Sequence, residues 1–281
     1  MHVKILGNLN SDIIDNSIIK TEKLIKIPTN LYLYFLENIN FCYSIKLPRH
    51  LQDRFKLACG TKISFSLKFR KRKIIVVYVD KDLLADSNAL IGLLLHEIIH
   101  INQMDKGIYK KIHESYNNVY QKNFNLFSSL KYDKNDLKIL FNGISSIAVL
   151  TLKDIYVNNE LIMKGLNKYL ISYYKFEFNK KICPKPIFYQ NLKKYAKKDL
   201  NLIKTVFEFE LSLISVILPL YKIKKAWELV NFIENCYELN INEISKKCHE
   251  LINLYFTDFS KKGFNEAFID LIFLKVYTLI E

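Results

Sequence analysis

Residues Ala89 to Ile101 read Ala-Leu-Ile-Gly-Leu-Leu-Leu-His-Glu-Ile-Ile-His-Ile, an apolar run interrupted only by His96, Glu97 and His100. A helix built from this run has no polar face, so it must be buried on every side. Ionisable groups are seldom buried alone, because stripping them of water costs several kcal/mol. The fold must therefore satisfy all three. His96 and His100 are four residues apart, which places them on one helix face with Cβ atoms about 5–6 Å apart. Both imidazoles can then reach one metal ion, and Glu97 points to one side of it, where it can take a proton from a coordinated water. An internal hydrogen-bond network is the other way to satisfy the cluster.

The flanking sequence places this helix beside a sheet. Lys62 to Arg70 alternates polar and apolar residues strictly, as a half-buried strand does, and Ile74 to Val79 is a continuous β-branched and aromatic run. Joined by Lys71-Arg72-Lys73, the two form a hairpin whose second strand is the more buried. Asp86, Ser87 and Asn88 supply N-cap side chains for a helix starting near Ala89. Strand, polar connection and apolar HExxH helix together resemble the core of the zincin metallopeptidases over roughly residues 62–161. They also resemble uncharacterised archaeal HExxH proteins. The zincin resemblance implies Zn²⁺ held by His96 and His100, Glu97 as general base for water attack on a peptide bond, and a sheet edge that takes an extended substrate as an added strand.

The third ligand sets the subclass. A metzincin needs histidine six residues past the second ligand, and Lys106 stands there, with Gln103 where that motif has glycine. The gluzincin pattern instead puts an acidic ligand on a later helix. The acids downstream are Asp105, Glu114, Asp133, Asp136, Asp154 and Glu160. Around Asp154, helical steps give Ile147, Leu150, Thr151, Val157, Asn158, Leu161 and Ile162, a largely apolar stripe. Glu160 shares its face with Lys153, Tyr156, Lys164 and Asn167 and reads as wetter. Asp154 is therefore the expected ligand, with Glu160 the alternative and Glu114 after it. Asp154-Ile-Tyr-Val-Asn158 resembles the gluzincin E-x-x-x-D with Asp for Glu and Asn for Asp, which makes Asn158 the expected support for a ligand. Aspartate is shorter by one methylene, so its helix has to approach the ion more closely. Tyrosine or histidine is the usual oxyanion donor in zincins, but 18 tyrosines leave the choice open, and Tyr156 is expected to face away.

Composition bounds the rest. With 281 residues, half of them hydrophobic, and only seven glycines and five prolines, the chain can bury a large core without long flexible linkers. The N-terminus lacks the apolar stretch of a secretory signal. Leu211 to Tyr221 is too short to cross a bilayer and contains Pro219, so no transmembrane segment is expected and this stretch reads as a buried helix end. Five scattered cysteines without a C-x-x-C pair suit free thiols in a reducing cytoplasm. The net charge of +14 comes from 38 lysines and four arginines spread thinly, which reads as a solvated surface; no specific nucleic acid is expected. Local basic clusters occur at Arg70 to Lys73, Lys180-Lys181 with Lys185, and Lys193-Lys194 with Lys197-Lys198.

The expected fold is α+β and helix-dominated, zincin-like, with a small antiparallel sheet beside the HExxH helix. Residues 1–82 form an N-terminal α/β segment with the hairpin, and 83–281 the metal-binding helices and C-terminal helices. A strand is expected near Val3 to Leu6, a helix from Pro48 to Cys59, a break at Gly107-Ile108-Tyr109, a loop over Lys131 to Asp136 and another at Cys183 to Pro186. One helix is expected from about Ser145 to Tyr174, with Gly143 interrupting what precedes it, and an amphipathic helix from Phe264 to Ile280. The expected function is zinc-dependent peptide hydrolysis on a peptide or protein substrate. Two alternatives stand: a zincin-like protein with a structural metal or a non-peptide substrate, and a metal-free basic binding protein.

Overall fold

The computed structural model describes residues 1–45, 64–69, 71–127, 132–180, 199–220, 223–237 and 263–280. The expected helix at 48–59, the break at 183–186, the two lysine clusters between 180 and 198, and Cys59, Cys183 and Cys248 lie outside these residues or at their margin.

The chain is α+β and dominated by helices, with one four-stranded sheet. In chain order the elements are β1 (His2–Leu6), α1 (Ser11–Leu24), β2 (Leu31–Leu36), a 3₁₀ turn (Ile39–Ser44), β3 (Ser64–Phe69), β4 (Arg72–Tyr78), α2 (Lys81–Ala85) and α3 (Ser87–Asp105). There follow α4 (Ile108–Phe127), α5 (Lys134–Met163), α6 (Asn167–Lys180), α7 (Leu200–Leu220), α8 (Trp227–Tyr237) and α9 (Phe264–Ile280). Contacts divide the chain into a first unit, Met1–Lys106 with Glu160–Lys180, and a second, Gly107–Asn159 with Lys181–Glu281. The boundary expected at 82/83 thus falls inside the first unit, and the HExxH helix belongs with the sheet. Helix α5 runs unbroken through the second boundary.

In the first unit the strand order is β1-β2-β4-β3. The expected hairpin forms, with β3 antiparallel to β4, Ser64 opposite Val77 and Phe69 opposite Arg72. The sheet is nevertheless mixed, because β1 and β2 pair parallel, as do β2 and β4. The reason is α1, a helix not expected between the first strands: Asn10 caps it by accepting from the Asp12 and Ile13 amides, and the helix returns the chain for a parallel strand. On β2, Leu31, Leu33 and Phe35 are buried while Tyr32 and Tyr34 are half-buried. Helix α3 packs against α6, α1, β3 and β4, and 13 of its 19 residues are buried. Asp86 caps it through the Asn88 and Ala89 amides. Cys42 is buried and disulfide-bonded, which departs from the expectation of free thiols.

In the second unit α4, the first part of α5, α7 and α9 share one core, including Ile112, Phe141, Ile144, Leu152, Phe207, Leu211, Phe268 and Phe273. Helix α5 differs from expectation at both ends. It starts at Lys134, where Asp133 caps the Asn135 and Asp136 amides, and continues through Gly143. It stops at Met163 because Gly165, at φ 71°, closes the end: its amide donates to the Ile162 carbonyl and that of Leu166 to the Leu161 carbonyl. Helix α5 is also the one described helix long and apolar enough to cross a membrane, yet half of its apolar window is buried within the protein. Leu211 to Leu220 is the end of α7, buried as expected apart from Ser212.

Candidate metal centre

The site is built on α3. His96 and His100 lie one turn apart with their Nε2 atoms 3.0 Å from each other and their rings edge to face. His96 is 6% exposed. Its ring packs against those of Tyr173 and Tyr174 on α6, at 5.6 and 6.4 Å between centroids. Close approach of α3 and α6 sets this packing: Gly92, one turn before His96, lies directly against the backbone of Tyr169.

Glu97 is one residue on and so about 100° around the helix, turned toward β3. It is 5% exposed, and its Oε1 accepts a hydrogen bond of 2.7 Å from Ser64 Oγ. Ser64 is the first residue of β3, an edge strand whose only partner among the described residues is β4. Ser64 therefore faces the HExxH helix, whereas Lys68, two alternations along the strand, stays exposed. Lys68, next but one after Ser66, and Lys73 of β4 both pair with Asp105 at the end of α3. Burial raises the Asp105 pKa, but the hydrogen bonds and charges of Lys68 and Lys73 outweigh it and hold the carboxyl below its ordinary value.

The last turn of α5 is fixed to the last turn of α3. Glu160 Oε2 accepts from Gln103 Nε2 at 3.2 Å, and its Oε1 lies 3.6 Å from Lys106 Nζ. Six residues earlier on the same unbroken helix, about 9 Å back along its axis, is Asp154. One nitrogen from each histidine and one oxygen of Asp154 all lie within 4.8 Å of one another. Such a group could hold a divalent ion: tetrahedral zinc with bonds of about 2.0–2.1 Å spaces its ligand atoms about 3.3 Å apart, close to the separation of the two nitrogens. Two imidazole nitrogens and a carboxylate oxygen also suit other transition metals, so the donor set does not by itself select zinc. Two neutral imidazoles at 3.0 Å can instead share a proton, when their tautomers are complementary.

The remaining candidates sit elsewhere. Glu160 is engaged with Gln103 and the lysines. Glu114 is exposed on α4 and pairs with Lys110. Asp133 caps α5 and Asp136 lies in its first turn. Asn158 is fully buried and donates from Nδ2 to the Ser215 carbonyl on α7 at 2.9 Å. Tyr156 turns away as expected, its hydroxyl donating to Asn265 Oδ1 on α9. Ser64, Tyr173 and Tyr174 escape the sequence reading. The strict alternation of β3 could have found Ser64, since a polar strand face must meet something; nothing in the sequence separates the two tyrosines from the other sixteen.

Leu150, expected on the buried stripe with Asp154, is 47% exposed, so the stripe is narrower than helical spacing suggests. No protein-family model, no curated protein and no solved structure matches the chain.

Proposed function

We propose that the chain is a metal-dependent hydrolase, most simply a zinc peptidase, with His96, His100 and Asp154 as ligands. The observation that carries this reading is the convergence of those three donors beside a buried glutamate that is itself fixed by the edge strand. The ion, when bound, contributes Lewis acidity: it polarises a carbonyl and acidifies water. The rest falls to the chain. Ser64 holds Oε1 of Glu97, leaving Oε2 to accept a proton and pass it on to the leaving amine. The packing of His96 on Tyr173 and Tyr174 holds the imidazole plane, and one of the two phenols is the candidate donor to a developing oxyanion. Strand β3, the edge of the sheet among the described residues, would take an extended peptide as an added strand next to Ser64 and hence next to Glu97.

The burial of His96 and Glu97 favours a second reading, in which the metal serves structure only. One experiment separates the two: metal content by plasma mass spectrometry on wild type and Glu97→Gln, with hydrolysis of a mixed peptide library. A peptidase keeps about one metal per chain in both proteins, and the variant loses about 10²–10⁴-fold in rate. A structural site binds metal in both, leaves every peptide uncut and melts lower after chelation. Wild type that stays metal-free after reconstitution overturns both.

A further inference from the structure

The two faces of the sheet have different chemistry. Strand registers put Val3, Ile5, Leu31, Leu33, Phe35, Ser64, Ser66, Lys68, Lys73, Ile75 and Val77 on the face that meets α3. The opposite face carries no carboxylate at any strand position. One end of it is covered by the 3₁₀ turn, where Phe41, Cys42 and Ile45 pack on Leu36, Phe65, Ile74 and Val76. At the other end, where β1, β2 and β4 begin, Tyr32 and Tyr34 pack half-buried against the same cluster, and exposed side chains of the described residues flank them. There exposed His2 stacks on Tyr32 with centroids 4.7 Å apart and planes at 17°. The guanidinium of exposed Arg72 lies 5.8 Å from the same ring centre. Exposed Lys4 stands opposite half-buried Tyr34 in the β1–β2 register. Three cationic or protonatable groups and two phenols thus share a patch on the order of 10 by 7 Å, two strand spacings by one two-residue repeat.

We propose that this patch binds single-stranded nucleic acid without sequence preference. Cations without an opposing acid call for an anionic partner. Tyr32 is flanked by His2 on one side and by Arg72 on the other, which leaves an exposed imidazole and a planar guanidinium at the ends of the stack. These favour a partner that also presents π-faces, which acyl chains do not. A platform of this kind takes bases only when they are unpaired, so the strand is single. Strand pairing brings Lys4 and Arg72, far apart in sequence, onto one sheet face with His2, and the patch stands independently of the metal centre.

The test is fluorescence anisotropy with a labelled oligo-uridine and the matching duplex, beginning at about 50 mM salt. The proteins are wild type, the exposed double variant Lys4→Ser/Arg72→Ser, His2→Ala, and Lys110→Gln on α4 as a control cation; circular dichroism checks each fold. The double variant is expected to bind about tenfold more weakly and to lose about 1.4 from the slope of log affinity on log salt, about 0.7 per phosphate contact. His2→Ala weakens single strand more than duplex, and Lys110→Gln stays within about twofold of wild type. Three results overturn the proposal: no oligonucleotide binding at low salt, equal losses in the double variant and the control, or tighter binding to phosphatidylserine vesicles than to the oligonucleotide.

Discussion

Gly92→Ala sets two well-known effects against each other. Replacing an interior helical glycine by alanine stabilises a helix by about 1 kcal/mol. Here the new Cβ would lie 2.1 Å from the Tyr169 carbonyl oxygen, 2.8 Å from its carbon and 2.9 Å from Tyr173 Cβ. The obstructing atoms are chiefly backbone of α6, so no rotamer change relieves them, and the two helices must separate by about 1 Å. Overpacking of this kind costs about 1–3 kcal/mol and sometimes more. With a backbone oxygen as the obstacle, the upper end applies and the net loss is about 2 kcal/mol. That lowers the melting temperature by about 4–8 °C, at about 2–4 °C per kcal/mol for a chain of this size. Separation of α6 also moves Tyr173 off the His96 ring, so metal affinity falls together with stability. Thermal denaturation followed by circular dichroism, with metal titration on the same samples, reads both. Truncating the Tyr169 side chain in the same protein should restore nothing, because the clash is with its carbonyl. An unchanged or raised melting temperature in Gly92→Ala would refute the close approach of α3 and α6.

Four further outcomes can be checked. Metal content should vanish in His96→Ala and fall in Asp154→Ala, while Glu160→Ala keeps it; loss in Glu160→Ala instead would move the third ligand. Asn158→Leu leaves the Ser215 carbonyl without its donor and should cost about 1–3 kcal/mol in urea unfolding; loss of metal in that variant would show that Asn158 also supports the ligands. Because the folded-state pKa of Asp105 is depressed, its stabilisation is present above its unfolded value near 3.8 and is lost as pH falls through the folded value. Asp105→Asn should therefore flatten the acid limb of the stability profile below pH about 4, and an unaltered limb would contradict the Lys68–Asp105–Lys73 arrangement. Tyr173→Phe and Tyr174→Phe, measured separately, should keep the metal, and the one that supplies the oxyanion donor should lose about 10²–10³-fold in turnover.

The site helix was the most legible part of the chain because two independent constraints coincide there. Apolar residues on every side demand burial, and three ionisable groups in such a helix demand partners. The hairpin and the cap at Asp86 followed from period-two alternation and from a side chain that can reach two amides. The parallel strands were not legible: β1 and β2 are short, and only the intervening α1, with a weak apolar stripe, reveals that they run the same way. Helix α5 was misjudged at both ends for one reason. Gly143 and Gly165 look alike in sequence, but only Gly165 adopts a positive φ, whereas Gly143 leaves room for the Lys204 side chain. Gly92 gives no signal either, since what it accommodates is a carbonyl nearly eighty residues away.

The division of the first unit into two stretches of chain has a consequence during synthesis. Helix α3, apolar on all sides, leaves the ribosome well before α6, its largest packing partner, because Gly107–Asn159 has to be made in between. At about 5–20 residues per second that interval lasts several seconds. Throughout it an apolar helix carrying His96, Glu97 and His100 lacks one of its walls, and among the described residues the sheet, α1 and α2 are what shield it.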